Sequence, residues 1–143
     1  MATAQSTDIA RWQRLLLAFC LLQLAWSTAG LVLNPNFAIG ADATSVQVLG
    51  VDFNGWHAVS GFLLFGPGLF VFSRDELAMP FTWAAIVAVL ATALWAVFSE
   101  HPAWVFYFPN SDGDIQLHVG SALILGLLLV IRRLDRSSTP AAV

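Results

Sequence analysis

The chain has 143 residues, 58% hydrophobic and only 10% charged, with a formal net charge of −3 and a single cysteine. Soluble domains carry about 25% charged residues, and a globule this small buries only ~60–70% of its surface, so a soluble fold, a disordered chain and a disulfide scaffold are all excluded. The acidic balance and the lack of any basic run remove nucleic acid as a partner, and the mean hydropathy of +0.75 points to an integral membrane protein.

A membrane-crossing helix takes ~20 mostly apolar residues, and four segments meet that length. The first span covers about 15–33, preceded by Arg11 and Arg14 and interrupted only by Gln23, Ser27 and Thr28. Cys20 on this apolar helix reads as a small packing residue. A positive start before an apolar run also resembles a signal peptide, with Ser27-Thr28-Ala29-Gly30 as a cleavage site. The apolar stretch continues to Leu33, so the span is expected to be retained. Asn34-Pro35-Asn36 ends it and opens a connection over 34–55, long for a helical hairpin.

The second span covers 56–72 and contains Gly66-Pro67-Gly68. Pro67 lacks an N–H and releases the Leu63 carbonyl, which predicts a packing kink; broken helices that line transport paths are the alternative. Ser73-Arg74-Asp75-Glu76 separates it from the third span, 80–98. There Ala84, Ala88, Thr92 and Ala96 form a small-residue row, the kind that lets helix backbones approach in lipid. It serves either as the seam of the chain's own bundle or as a contact face for another protein. Glu100-His101-Pro102 reads as a helix stop first and a ligand second, and the aromatic stretch 102–109 as a surface-lying segment or lid. Ser111-Asp112-Gly113-Asp114 precedes the fourth span, 115–131. The run from Ala84 to Ala91 does not alternate as a barrel strand would.

The arginines orient the spans. There is no lysine, and Arg11, Arg14, Arg74, Arg132, Arg133 and Arg136 all fall on one side of a four-span chain. The two other loops hold Asp42, Asp52, Glu100, Asp112 and Asp114 and no arginine. The positive-inside rule then places both termini in the cytoplasm. Trp12, Trp56, Trp104, Phe106, Tyr107 and Phe108 near span ends read as interfacial anchors, whereas Trp26, Trp83 and Trp95 read as packing on helices or lipid.

Asn54-Gly55-Trp56-His57 and Ile115-Gln116-Leu117-His118 each follow an acidic loop and lead into small residues, an apolar run and arginines. The chain therefore reads as two parallel helical hairpins related by an axis along the membrane normal, each with a histidine in the first turn of its second helix. The segments Val51-Asp52-Phe53-Asn54-Gly55-Trp56-His57 and Asp114-Ile115-Gln116-Leu117-His118-Val119-Gly120 resemble the two signatures of a bacterial four-helix membrane family catalogued as domain of unknown function 4383. Ala58-Val59-Ser60-Gly61 stands where a second histidine often follows in that family, which weakens a multi-histidine site. The resemblance implies a fold and a bacterial plasma-membrane location, and no reaction.

Ionisable groups in or near spans are often functional. His57 and His118 are the candidate cofactor ligands: facing each other they would hold a haem iron, or with Glu100 or Asp114 a divalent metal. The blander expectation keeps each histidine local, His57 with its own loop and His118 with Asp114 four residues away. Asp114 is then a helix cap in a solvated ion pair, its buried alternative being a proton relay. No nucleophile–base pair or metal motif suggests an enzyme. The expected fold is all-α, a single-domain four-helix transmembrane bundle over 1–143 with loose tails at 1–10 and 137–143. The expected function is a non-catalytic membrane subunit or accessory protein without a cofactor, packing on other membrane subunits or on itself. A haem or pigment carrier and a small transporter or channel are the alternatives.

Overall fold

A computed structural model describes residues 9–100, 106–109 and 111–137. The elements are α1 (Arg11–Leu33), a 3₁₀ turn (Gly40–Asp42), β1 (Val46–Val48), β2 (Val51–Phe53), α2 (Gly55–Phe65), α3 (Gly68–Val71), α4 (Asp75–Phe98) and α5 (Asp112–Ser137). The helices form a four-membered bundle in which α1 packs on α2 and α5, and α4 packs on α5. The pair α2 and α4 meets only slightly, which leaves a gap on that side.

Three helices, α1, α4 and α5, are long and apolar enough to cross a membrane. Their most apolar stretches are only 33%, 22% and 28% buried within the protein, so most of that apolar surface faces outward. Leu22, Val32, Leu63, Phe70, Leu94, Phe98 and Leu123 stand exposed, the inside-out distribution that a lipid solvent permits. The second apolar stretch in the chain, Gly55–Val71, is shorter and is interrupted where α2 ends at Phe65 and α3 resumes at Gly68. Across Gly66-Pro67 the backbone shifts to three-residue bonds, Leu69 N–H to Gly66 O at 3.1 Å and Phe70 N–H to Pro67 O at 3.0 Å. Gly68 is required by packing, since a Cβ there would lie 2.4 Å from Cys20 Sγ on α1.

The helices extend beyond the apolar cores that mark them in the sequence, because the hydrogen-bond ladder does not stop where hydrophobicity does. The third begins at Asp75 rather than Pro80, with Asp75 and Glu76 in its first turn, where carboxylates favour the positive end of the helix dipole. The fourth begins at Asp112, so His118 sits in its second turn and not its first. Mid-helix threonines satisfy their own hydroxyls: Thr28, Thr82 and Thr92 each donate to the carbonyl four residues back, as suits a polar group on an apolar helix.

One element departs from an all-α chain. Within the 34–55 connection β1 and β2 pair antiparallel, Val46 opposite Phe53 and Val48 opposite Val51. Leu49 and Gly50 turn between them at φ 53° and 85°, the left-handed pair of a tight hairpin turn. A Cβ at Gly113 would lie 2.1 Å from Gly50 O, so the hairpin tip rests directly on the start of α5.

At the opposite end the arginine-bearing termini meet. Arg132 on α5 donates from Nε to Asp75 Oδ1 at 2.9 Å and from its terminal nitrogen to Oδ2 at 2.6 Å, and Arg136 donates to the same Oδ2. The Arg132 guanidinium also lies 5.6 Å over the Trp12 ring. Trp12 is 1% exposed and belongs to the core, not to an interfacial belt, because it fills the space beneath that guanidinium.

The small-residue seam of α4 follows a different row from the one marked above. Ala84 is exposed, Ala88 and Thr92 are half-buried, and only Ala96 is buried. The buried row is Ala78, Thr82, Ala85, Val89, Ala93 and Ala96. Steps of four residues alone overrun a helix period of 3.6 and drift off the contact line, whereas the mixture of three- and four-residue steps in the buried row stays on it.

Candidate functional site

The α2 start is built by Asn54. Its side chain caps the helix by accepting from His57 N–H at 2.9 Å and donates to Tyr107 O at 2.7 Å, and the residue is fully buried. This single side chain ties the second helix to the 106–109 segment. Gly55 N–H donates to Asn36 O at 2.7 Å, and Trp56 Nε1 donates to Phe37 O at 2.8 Å. A Cβ on Gly55 would meet the Phe37 ring at 2.6 Å. The result is a rigid first turn that aims His57 inward.

The His57 imidazole stacks on Phe53 of β2, with centroids 4.5 Å apart and planes 21° apart. Phe108 approaches it edge-on at 5.9 Å. Phe53 itself depends on Gly30, where a Cβ would intrude to 2.3 Å of its ring. Asn34 holds the strand by donating to Phe53 O at 3.2 Å. On α5, Ser111 is the residue that caps, its hydroxyl accepting from Asp114 N–H at 3.3 Å. Asp114 is therefore free to turn its carboxylate inward.

His118 keeps its local partner Asp114, but His57 does not stay with its own loop and reaches the same carboxylate from across the bundle. His57 Nε2 lies 3.1 Å from Asp114 Oδ1, and His118 Nε2 lies 3.5 Å from the same oxygen. Asp114 is 2% exposed, so this is a buried cluster and not a solvated ion pair. The two imidazoles are near parallel, 13° apart, with centroids at 6.1 Å. The spacing of His118 and Asp114 was legible as one turn of helix; the reach of His57 across the bundle was not, because it depends on how α2 meets α5. Glu100 is exposed and is not among these three. His101 and Trp104 lie outside the described residues.

The cluster closes one end of a cavity of about 530 Å³ in the gap between α2 and α4. Apolar walls come from Trp26, Leu64, Phe65 and Trp95, with Ala88, Thr92 and Ala96 of α4 also lining it. Gln23 and Ser121, joined by a buried 2.9 Å hydrogen bond between α1 and α5, add polarity. Gly61 keeps α2 against α1, since a Cβ would lie 2.0 Å from Ser27 Oγ. Outside the helices, burial together with Glu100 and Asp52 pushes the Tyr107 phenol above its ordinary range.

Haem does not fit this arrangement. Bis-imidazole ligation places one nitrogen on each face of the macrocycle. Here Asp114 Oδ1 lies 3.1 and 3.5 Å from those two nitrogens, so a carboxylate crowds the position that an iron between them would take.

A helical bundle with three membrane-length apolar helices and a buried His–Asp–His cluster in the cavity between α2 and α4 defines a class of small membrane protein. Within that class, the chain belongs to the family described as Domain of unknown function (DUF4383), which it matches over residues 13–131. No curated protein and no solved structure matches it.

Proposed function

We propose that the chain is a small, non-catalytic protein of the bacterial plasma membrane, both termini cytoplasmic, that binds a membrane-soluble amphiphile in the α2–α4 cavity as an accessory component alongside other membrane subunits. The observation that carries this reading is the cavity itself. Its volume lies in the ~300–1,000 Å³ range of small-molecule sites, its walls are apolar, and its ionisable groups are gathered at one end. That distribution suits a ligand with an apolar body and a hydrogen-bonding head. A non-catalytic role is supported by a hydroxyl nearby. Ser60 donates its hydroxyl proton to His57 O and not to an imidazole nitrogen, as a hydroxyl nucleophile would.

The test is native mass spectrometry of the full chain purified in mild detergent, compared with Ala91→Phe, which narrows the cavity from an exposed position on its wall. The expected outcome is a stoichiometric small molecule on the wild type that is lost or depleted in the variant at unchanged thermal stability. Identical bound species on both proteins would overturn the reading. The same preparation reports any partner subunits that co-purify.

A further inference from the structure

We propose that His57, Asp114 and His118 form a binding site for one divalent first-row transition ion, with Zn²⁺ as the reference case. The inference rests on the cluster alone and stands whether or not the cavity holds an amphiphile. Its first support is distance. Zinc bonds of ~2.0–2.2 Å to nitrogen and oxygen place neighbouring ligand atoms of a tetrahedron about 3.3 Å apart. The two nitrogen–oxygen separations are 3.1 and 3.5 Å. One ligand atom from each of the three residues can be chosen so that all lie within 4.8 Å of one another.

The second support is alignment. Asp114 Oδ1 and His118 Nε2 are buried without a hydrogen-bond partner, although they lie beside each other. Buried polar atoms are almost always paired. Donor and acceptor atoms that are close but not aimed at one another are what a common centre between them would organise.

The third support is charge. A buried carboxylate is costly unless a cation compensates it. The chain has no lysine, and its arginines belong to the other end of the bundle, where Arg132 and Arg136 hold Asp75. Among the described residues, the groups beside Asp114 able to carry positive charge are the two imidazoles. A divalent ion supplies the missing charge and takes neutral imidazoles as ligands, releasing any proton they share with the carboxylate. Two histidines and one carboxylate leave at least one coordination position open. The cluster lines the cavity, so that position is filled by water or by a donor atom reaching in from there.

The experiment uses the full chain in detergent, freed of any histidine tag and stripped with chelator, then titrated with Co²⁺ alone. The expected result is a visible ligand-field spectrum saturating at one ion per chain and displaced by Zn²⁺. His57→Ala, His118→Ala and Asp114→Asn should each weaken binding about tenfold or more, the scale on which even outer-shell changes act. Glu76→Gln, an exposed carboxylate at the opposite end of the bundle, should leave it unchanged. Zn²⁺ should raise the Tm of the wild type, because a ligand of the native state stabilises it, and this rise should vanish in the volume-preserving variants His57→Gln and His118→Gln, which serve if the alanine variants fold poorly. The proposal is overturned if the wild type shows no Co²⁺ spectrum and no Zn²⁺-dependent Tm rise. It is equally overturned if folded His57 and His118 variants retain both.

Discussion

Asn54, Gly30 and the three clustered side chains bear the site's geometry, and each makes a separate demand on the sequence. Asn54 caps α2 with one side-chain atom and holds Tyr107 O with the other. Asn54→Ala should cost ~1 kcal/mol for the cap alone, with a further loss because the Tyr107 carbonyl loses its donor, measured by thermal unfolding in detergent. Asn54→Asp should recover the cap share only, since a carboxylate accepts from His57 N–H but cannot donate to a carbonyl. Gly30→Ala presses a methyl into the Phe53 ring, and overpacking of this kind costs ~1–3 kcal/mol. Because Phe53 stacks on His57, that variant should also change the histidine ring resonances by NMR. His57→Ala and His118→Ala should be non-additive in stability, by ~0.5–3 kcal/mol as for contacting residues. Strict additivity in that double-mutant cycle would mean that Asp114 does not couple them.

Among the elements, α4 gives the sharpest test of packing. Ala85 is buried on the seam and Ala84 beside it is exposed. Ala85→Leu should destabilise the bundle by ~1–3 kcal/mol, whereas Ala84→Leu should change stability by no more than ~0.5 kcal/mol, as surface substitutions do. Equal effects, read by thermal unfolding, would place the seam elsewhere. The β-hairpin is a second such element, its tip carbonyl Gly50 O resting against Gly113 while Phe53 stacks on His57. The alternation Val46-Gln47-Val48 and Val51-Asp52-Phe53 around Leu49-Gly50 is the signal by which the hairpin is legible; three-residue strands in a loop between two membrane helices are too short for periodicity to stand out.

For the whole molecule the two ends differ in character. One gathers Arg132, Arg136, Asp75 and Trp12; the other gathers Asn54, the hairpin and the His–Asp–His cluster. Reporter fusions at both termini should score cytoplasmic and a reporter inserted near Asp42 should score external, as six arginines on one side demand. An external C-terminus would refute that orientation. Since α1, α4 and α5 expose most of their apolar length, the bundle should require detergent or lipid to remain dispersed.

The helical fold and the places of the four apolar segments were legible in the linear chain, because hydrophobic length acts locally and needs no partner to be read, and the family was legible from the short motifs around His57 and His118. The Asp114–His118 pair was legible for the same reason, being one helical turn apart. Which face of α4 is buried, the closing of the hairpin onto Gly113, the burial of Trp12 and the meeting of His57 with Asp114 came only with the packed bundle. Each depends on contacts between residues far apart in the chain, and those distances are set by how α1, α2, α4 and α5 cross, a property that no single segment encodes.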